Sequence, residues 1–243
     1  MKTERPAWYA ASPGSWRDWI TILHLPYTSW HLSYVLVGAG LAASVGLERL
    51  LGTLLAFGLA VGVAAHALDE LRGRPLGTTI SSPVLATAAA VSLAGAVAIG
   101  IVGIRQVGWG LVAFIAVGVL FVVGYNLELG GGRLHNDIVF ALAWGSFPLL
   151  TAYYAQAGTV RPAAVAGAVF AFGLSLAQRR LSTDARQLRR RVRSVEGERI
   201  GLDGSRAAIT RASLLRPLEG ALVALSWSVA ALGIALVLSR TGH

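Results

Sequence analysis

Long apolar stretches separated by polar connections dominate the chain. Seven of them approach the roughly 20 residues that cross a bilayer core: 29–47, 50–68, 80–103, 107–127, 137–157, 160–180 and 212–239. All contain abundant Gly and Ala, and small residues let membrane helices pack closely. The pattern predicts an all-α bundle of about seven transmembrane helices in one domain, 29–239, after a cytoplasmic or interfacial segment, 1–28. Because Pro217 lies near the start of the last span, an eighth short helix before that span stays an alternative.

Composition agrees with a membrane protein. The 243 residues are 55% hydrophobic and 14% charged, whereas soluble domains carry about 25% charged residues. The absence of Cys excludes disulfides, thiolate nucleophiles and sulfur-ligated metals. The net charge of +9 is the kind of excess that orients membrane proteins, and we expect no nucleic-acid partner.

The positive charges are unevenly distributed among the connections. With seven spans, the N-terminus shares one side with the loops 69–79, 128–136 and 181–211, and these contain most of the arginines. Cytoplasmic loops carry the excess of Lys and Arg. We therefore predict a protein of the cell membrane whose N-terminus and charged loops are cytoplasmic, with a cavity opening to that side.

The stretch "AHALDELRGRPLGTTISS", residues 64–81, contains the first group of polar side chains. His66, Asp69 and Glu70 have the spacing of residues that share a helix face. A carboxylate at a membrane mouth is a plausible Mg²⁺ ligand, and Arg72 and Arg74 have the geometry to bind phosphate. Ionisable groups inside spans are costly, so the pairing of His66 with Asp69 favours a functional site.

Two further groups lie at the same predicted face. Gln178, Arg179 and Asp184 lie near the end of the sixth span, where they are expected to face the cavity of Asp69. A helical continuation would align further arginines in one basic stripe, which anionic lipid head groups also attract; these are Arg186, Arg189, Arg190 and Arg193. Tyr125, Asn126 and Arg133 bracket the Gly-rich turn between the fourth and fifth spans, and the loop residue His135 is given no role.

Two segments resemble the UbiA-type membrane prenyltransferases. "RPLGTTIS" is similar to the segment after that family's first Asp-rich motif, and "YNLELGGGRLHNDIVFALAWGSFPLL" resembles the joint between its fourth and fifth spans. The resemblance extends from about residue 20 to residue 205 in span order and loop placement, and it implies a UbiA-like bundle. Asp69 and Asp184 stand at acidic positions of the two motifs, whereas Gly73 and Leu188 replace further acidic residues.

The resemblance implies transfer of a prenyl group from a polyprenyl diphosphate to an aromatic or lipidic acceptor. Asp69 and Asp184 would hold Mg²⁺, with His66 as a third catalytic residue. The residues expected to bind the diphosphate are Arg72, Arg74, Tyr125, Asn126, Arg133, Gln178, Arg179 and Arg186. Because arginines stand among the reduced acidic motifs, an alternative stays open: a non-catalytic UbiA-like protein that binds anionic lipid or a prenyl-phosphate carrier.

Overall fold

The chain folds into a helical bundle with one small β-hairpin. A computed structural model describes residues 9–11 and 14–241, so the rest of the predicted N-terminal segment lies outside the described residues. The elements are α1 (Ser15–Ile22), α2 (Leu25–Gly40), α3 (Leu47–Leu71), α4 (Ser82–Val107), α5 (Leu111–Asn126), α6 (Asp137–Ala157), α7 (Pro162–Arg190), β1 (Glu196–Ile200), β2 (Arg206–Thr210) and α8 (Arg211–Thr241). Helix makes up 74% of the structure, which confirms the all-α prediction apart from the hairpin.

A helix stands at each of the seven predicted apolar stretches. Within the part of the chain that the structure describes, four helices are long and apolar enough to cross a membrane: α3, α4, α6 and α8. Helix α5 is apolar but shorter. Helix α2 ends at Gly40, before the predicted end of its span at residue 47, and α8 begins at Arg211 without a separate helix before it. These apolar helices are consistent with a membrane protein.

Helix α2 lies in the centre of the bundle, packed against α6 and α8. The contact with α6 is close because Gly38 has no side chain: a Cβ atom there would stand 2.1 Å from the carbonyl oxygen of Leu149. Trp30 and Tyr34 of α2 are fully buried, and the Trp30 indole donates a hydrogen bond to the Tyr34 hydroxyl (2.7 Å). Small residues thus permit the dense packing that the composition predicts.

Two helices contain π-helical turns in their middle sections. These are Gly58–Ala65 in α3 and Leu142–Ser146 in α6. A π-helical turn widens the helix and turns the following side chains to a new direction, and such turns occur often at functional sites. The first is followed directly by His66, and the second contains Trp144.

The connections 72–81, 127–136 and 191–210 form one end of the bundle, here called the basic end. Ion pairs join its parts: Arg72 with Glu128 (3.0 Å), Arg179 with Asp137 (3.1 Å), and Arg189 in a forked pair with Glu219. The 29 residues of α7 span about 44 Å at 1.5 Å per residue, more than the roughly 30 Å of a bilayer core. Its C-terminal turns, which carry the arginines, therefore reach into the basic end of the bundle.

The β-hairpin was not predicted. Strands β1 and β2 pair antiparallel, with Glu196 opposite Thr210 and Ile200 opposite Arg206. Asp203 and Gly204 lie in the connecting turn, where Gly204 has a φ of +81°. Asp-Gly is common in hairpin turns because Gly adopts positive φ without strain. The Asp203-Gly204 pair therefore indicates a turn, although 181–211 was predicted to be a loop.

Candidate functional site

A polar cavity of about 310 Å³ lies at the basic end of the bundle, between α2, α3, α5, α6 and α7. Seven of the predicted site residues line it: His66, Asp69, Tyr125, Asn126, Gln178, Arg179 and Arg186. Three separate polar groups of the sequence thus meet in one place. His24, Tyr27, His31, His135, Ser182 and Arg190 also line it.

Helical spacing explains which side chains reach the cavity. On α7, the lining residues Gln178, Ser182, Arg186 and Arg190 recur every four positions, which places them on one face. Tyr27 and His31 of α2 follow the same rule with a spacing of four, and His24 lies directly before the helix. This spacing could have identified Tyr27, which the sequence analysis missed, as it did His24, because it placed both residues in the segment before the first span.

Asp184 does not face the cavity. It is exposed and lies two residues from both Ser182 and Arg186, hence about 160° around the helix axis from each. The structure therefore does not bring Asp184 into the cavity that Asp69 lines, as the sequence analysis expected. The reason is that α7 continues as a regular helix to Arg190, so its periodicity turns residue 184 outward.

Three predicted diphosphate ligands lie outside the cavity lining. Arg72 is half-exposed and pairs with Glu128. Arg74 donates hydrogen bonds to the Ile80 carbonyl and the Ser82 hydroxyl (2.8 Å for the latter), so it holds the loop together. Arg133 is exposed. The structure does not bring these guanidinium groups to the same place as the seven lining residues.

The two adjacent carboxylates Asp69 and Glu70 have different surroundings. Glu70 is fully buried and accepts hydrogen bonds from the Leu76 N–H (3.0 Å), the Thr78 N–H (2.8 Å) and the Thr78 hydroxyl (2.8 Å). It shapes the loop after α3 and is not part of the cavity wall. Asp69 lines the cavity, and its carboxylate accepts no hydrogen bond from the residues that the structure describes. Asp69 is thus the carboxylate that remains available to a ligand.

Positive charge dominates the cavity wall. Arg179, Arg186 and Arg190 line it, against Asp69 as the carboxylate within the described lining. Arg179 also lies over the Phe140 ring, 5.0 Å from its centroid, and pairs with Asp137 outside the cavity. Arg186 lies beyond the predicted span 160–180, and burial together with the charge of Arg179 lowers its pKa. An anion in the cavity would relieve this repulsion.

Backbone carbonyls orient three histidines of the cavity. Their Nδ1 atoms face the carbonyl oxygens of Trp144 (2.7 Å from His31), Gly62 (3.3 Å from His66) and Tyr125 (3.2 Å from His135). A carbonyl oxygen only accepts, so each ring donates from Nδ1, and Nε2 is a hydrogen-bond acceptor whenever the ring is neutral. His135, to which no role was given, belongs to this set and stacks on Tyr125 with 4.4 Å between centroids.

The segment before α2 covers part of the cavity. The His24 ring stacks on His66 at 4.5 Å, and the Tyr9 hydroxyl hydrogen-bonds His24 Nδ1. Burial, followed by the influence of His66 and of Arg186, holds the pKa of His24 well below its ordinary value, so the ring that hydrogen-bonds the Tyr9 hydroxyl is neutral. Asp18 of α1 fastens the segment, since it accepts hydrogen bonds from the Thr79 N–H (2.8 Å) and hydroxyl (2.6 Å).

The two expected magnesium ligands do not share one cavity, because Asp69 lines the polar cavity and Asp184 is exposed outside it. Among the described residues, no group of three or more His, Asp or Glu side chains is placed to hold a metal ion. Mg²⁺ is held by oxygen ligands in near-octahedral geometry, and Asp69 is the single carboxylate on the described wall. The arginines of the cavity wall supply positive charge, as a bound Mg²⁺ would.

An apolar groove of about 240 Å³ lies farther along the bundle, between α3, α4, α5 and α6. Its wall is mostly aliphatic and aromatic, with Phe57, Phe114, Phe121 and Phe147 among the lining residues. Val61 and Trp144 line both the groove and the polar cavity. These two residues lie in the two π-helical turns, so the irregular turns stand where the polar and apolar spaces meet.

Comparisons of this chain with protein-family models, with curated proteins and with solved structures find no match.

Proposed function

We propose that this protein is an intramembrane prenyltransferase that binds the head group of a polyprenyl diphosphate in the polar cavity. The observation that carries the proposal is the meeting of an arginine-rich cavity with an apolar groove at Val61 and Trp144. A ligand that matches both spaces has an anionic head and a long apolar chain. Helices at all seven predicted spans support the further proposal of a UbiA-like bundle that crosses the membrane seven times.

The arginines account for the head-group end of the proposed complex. Guanidinium groups bind phosphate oxygens with two parallel hydrogen bonds and keep their charge when buried. Arg186 has a hydrogen bond to Thr183 at 3.3 Å, which leaves most of its five donors for a ligand. Tyr125 and Asn126 are buried in the same wall and are further candidates to contact the diphosphate.

The groove accounts for the apolar chain. Burial of apolar surface stabilises a complex by about 25 cal/mol per Å², although in a membrane protein the competing environment is lipid rather than water. Selection of a particular prenyl chain therefore depends on the shape of the groove, which its phenylalanine side chains define. Phe114 stacks on Tyr154 with 4.9 Å between centroids, which keeps part of the wall rigid.

The proposed transfer needs a stabilised leaving group and a dry site. The bond between the first prenyl carbon and the diphosphate oxygen breaks with both electrons leaving on the diphosphate, whose charge Arg179, Arg186 and Arg190 stabilise. The nucleophilic atom of the acceptor then bonds to that carbon and loses a proton, for which the imidazole Nε2 atoms of the cavity are acceptors. The faces of Trp144 and Tyr125 favour the intervening allylic cation.

Binding of geranylgeranyl diphosphate to the purified protein tests the head-group site. We expect Arg186→Gln to weaken binding about 10- to 100-fold, the effect of one lost charge-assisted hydrogen bond. Arg180→Gln is the matched control, because Arg180 is exposed on α7 and does not line the cavity. Equal loss in both variants would contradict the proposal, since it would indicate a diffuse charge effect.

Transfer itself is tested with labelled geranylgeranyl diphosphate, membrane lipid extract, and either added Mg²⁺ or a chelator. We expect a labelled lipid product that Arg186→Gln reduces. Because a single carboxylate lies on the described wall, the second candidate function is a non-catalytic protein that retains an anionic prenyl-phosphate or lipid. Tight binding of the diphosphate with no product under either metal condition would favour that second function.

A further inference from the structure

The apolar groove continues from its border with the polar cavity to the opposite end of the bundle. On α3 its lining runs from Val61 at the border to Glu48 near the start of the helix, and on α6 from Trp144 to Ala155. Val61 and Glu48 are 13 positions apart, which corresponds to about 20 Å at 1.5 Å per residue. The groove thus has a defined length along the bundle.

Polar side chains close the groove at this far end. Gln106 Nε2 donates a hydrogen bond to Glu48 Oε1 (2.7 Å), which links α4 to α3. Arg49 donates to the carbonyl oxygens of Ala155 (3.4 Å) and Gln156 (2.9 Å) of α6. Glu48 and Gln106 are exposed, so a hydrocarbon chain that extended past them would meet polar groups and water and would bury no further apolar surface.

The length of the groove matches a prenyl chain of about four isoprene units. Each unit adds four carbons along the chain, about 5 Å when extended, because a C–C bond is about 1.5 Å long. We infer that the groove limits the prenyl donor to about four isoprene units and that Gly52 and the Glu48–Gln106 pair set this limit. The inference rests on the proposed function and names the length class of the donor that the same site takes.

Gly52 lies one turn of α3 before the polar end, about 14 Å from Val61 along the helix. It lines the groove, and a Cβ atom added to it would have its nearest neighbour, Ile99 Cγ2, at 3.8 Å. This is an ordinary van der Waals distance, so residue 52 can carry a side chain without a backbone shift. A large side chain there would occupy the part of the groove assigned to the fourth isoprene unit.

Competition binding tests this role of Gly52. Labelled geranyl diphosphate, with two units, is displaced from the purified protein by unlabelled prenyl diphosphates of two, three, four and five units. Each ligand is compared between wild type and variant, which cancels its partition into detergent. We expect Gly52→Leu to weaken binding of the four-unit diphosphate about tenfold, the effect of one or two methylene groups that are no longer buried, and to leave the two-unit diphosphate unchanged.

Two further variants complete the test. Gly173→Leu is the matched control, because Gly173 is exposed on α7, has nothing within 4 Å of an added Cβ and does not line the groove; it should change no ligand. Gln106→Leu removes the polar bridge to Glu48 and should strengthen binding of the five-unit diphosphate alone.

Equal loss of the two-unit and four-unit diphosphates in Gly52→Leu, or no loss of either, would overturn the inference, while binding of both by the wild type leaves the proposed function intact. If the wild type binds no prenyl diphosphate, the proposed function is contradicted. Geranylgeraniol, with the same chain and no charge, then tests the groove alone: weaker binding to Gly52→Leu supports the length limit, and equal binding to wild type and variant overturns it.

Discussion

Substitutions of the neighbouring carboxylates Asp69 and Glu70 should affect different properties: ligand binding or turnover for Asp69, and the free energy of unfolding for Glu70. Glu70→Gln replaces Oε2, which accepts from the Leu76 N–H, by an NH₂ group that faces this donor. Oε1 can still accept from the Thr78 N–H and hydroxyl. One charge-assisted hydrogen bond is lost and one buried N–H is left unsatisfied.

The expected cost is about 2 kcal/mol, because a hydrogen bond to a charged group contributes about 1.5–3 kcal/mol. In a chain of this size, that corresponds to a lowering of the melting temperature by about 4 to 8 °C. Asp69→Asn should stay within about 0.5 kcal/mol of the wild type, because the Asp69 side chain accepts no hydrogen bond from the residues that the structure describes.

Thermal unfolding in detergent, followed by intrinsic Trp fluorescence, measures both variants. Binding of geranylgeranyl diphosphate supplies the second readout, in which Asp69→Asn changes binding or turnover and Glu70→Gln, at a temperature where it is folded, changes them less. Reversed results, with Asp69→Asn unstable and Glu70→Gln stable, would refute the assignment of the two carboxylates.

Three further predictions concern the scaffold. Gly38→Ala should destabilise the bundle by about 1–3 kcal/mol, because the new Cβ would clash with the Leu149 carbonyl. Gly173→Ala, which has nothing within 4 Å, should leave stability unchanged or raise it by up to about 1 kcal/mol in the same melting assay. Although burial raises the pKa of Asp18, hydrogen bonds from Thr79 and Gly14 outweigh it and lower the pKa. Its stabilising contribution is therefore complete above the unfolded pKa of about 4 and is lost as the pH falls towards the lower folded pKa; Asp18→Asn should flatten this part of a stability–pH curve. Glu219→Gln weakens the forked ion pair with Arg189 and should therefore speed amide hydrogen exchange in 191–210. Unchanged exchange would contradict the prediction that this ion pair holds the segment in place.

The helices were predictable because they depend on local properties. Long apolar stretches rich in Gly and Ala form helices in lipid, since every backbone polar group must then be satisfied within the segment. Their positions agree with the predicted spans to within a few residues at most ends. The largest difference occurs where polar sequence continues a helix, in α7, whose arginines extend the predicted span 160–180 to Arg190. Helix α2 differs in the other direction, since it ends at Gly40 and not at residue 47.

The convergence of Asp69, Tyr125, Gln178 and Arg186 was predictable in part, because each lies near the same predicted end of a span. Which of the adjacent residues line the same cavity was not predictable. Asp184 and Arg186 are two residues apart, and only the helical phase of α7 sends one outward and the other into the cavity. A span prediction specifies the ends of a helix and leaves its rotation undetermined.

The sequence by itself determined the membrane-type helices, the gathering of arginines at one end, and the candidate His66–Asp69 pair, because each follows from composition and spacing along the chain. Only the tertiary structure decided that Glu70 supports a loop, that His135 joins the cavity, and that Val61 and Trp144 border two different spaces. These roles depend on contacts between helices distant in sequence. Such contacts are set by helix rotation, by the π-helical turns and by close approach at small residues, none of which the order of hydrophobic and polar positions specifies.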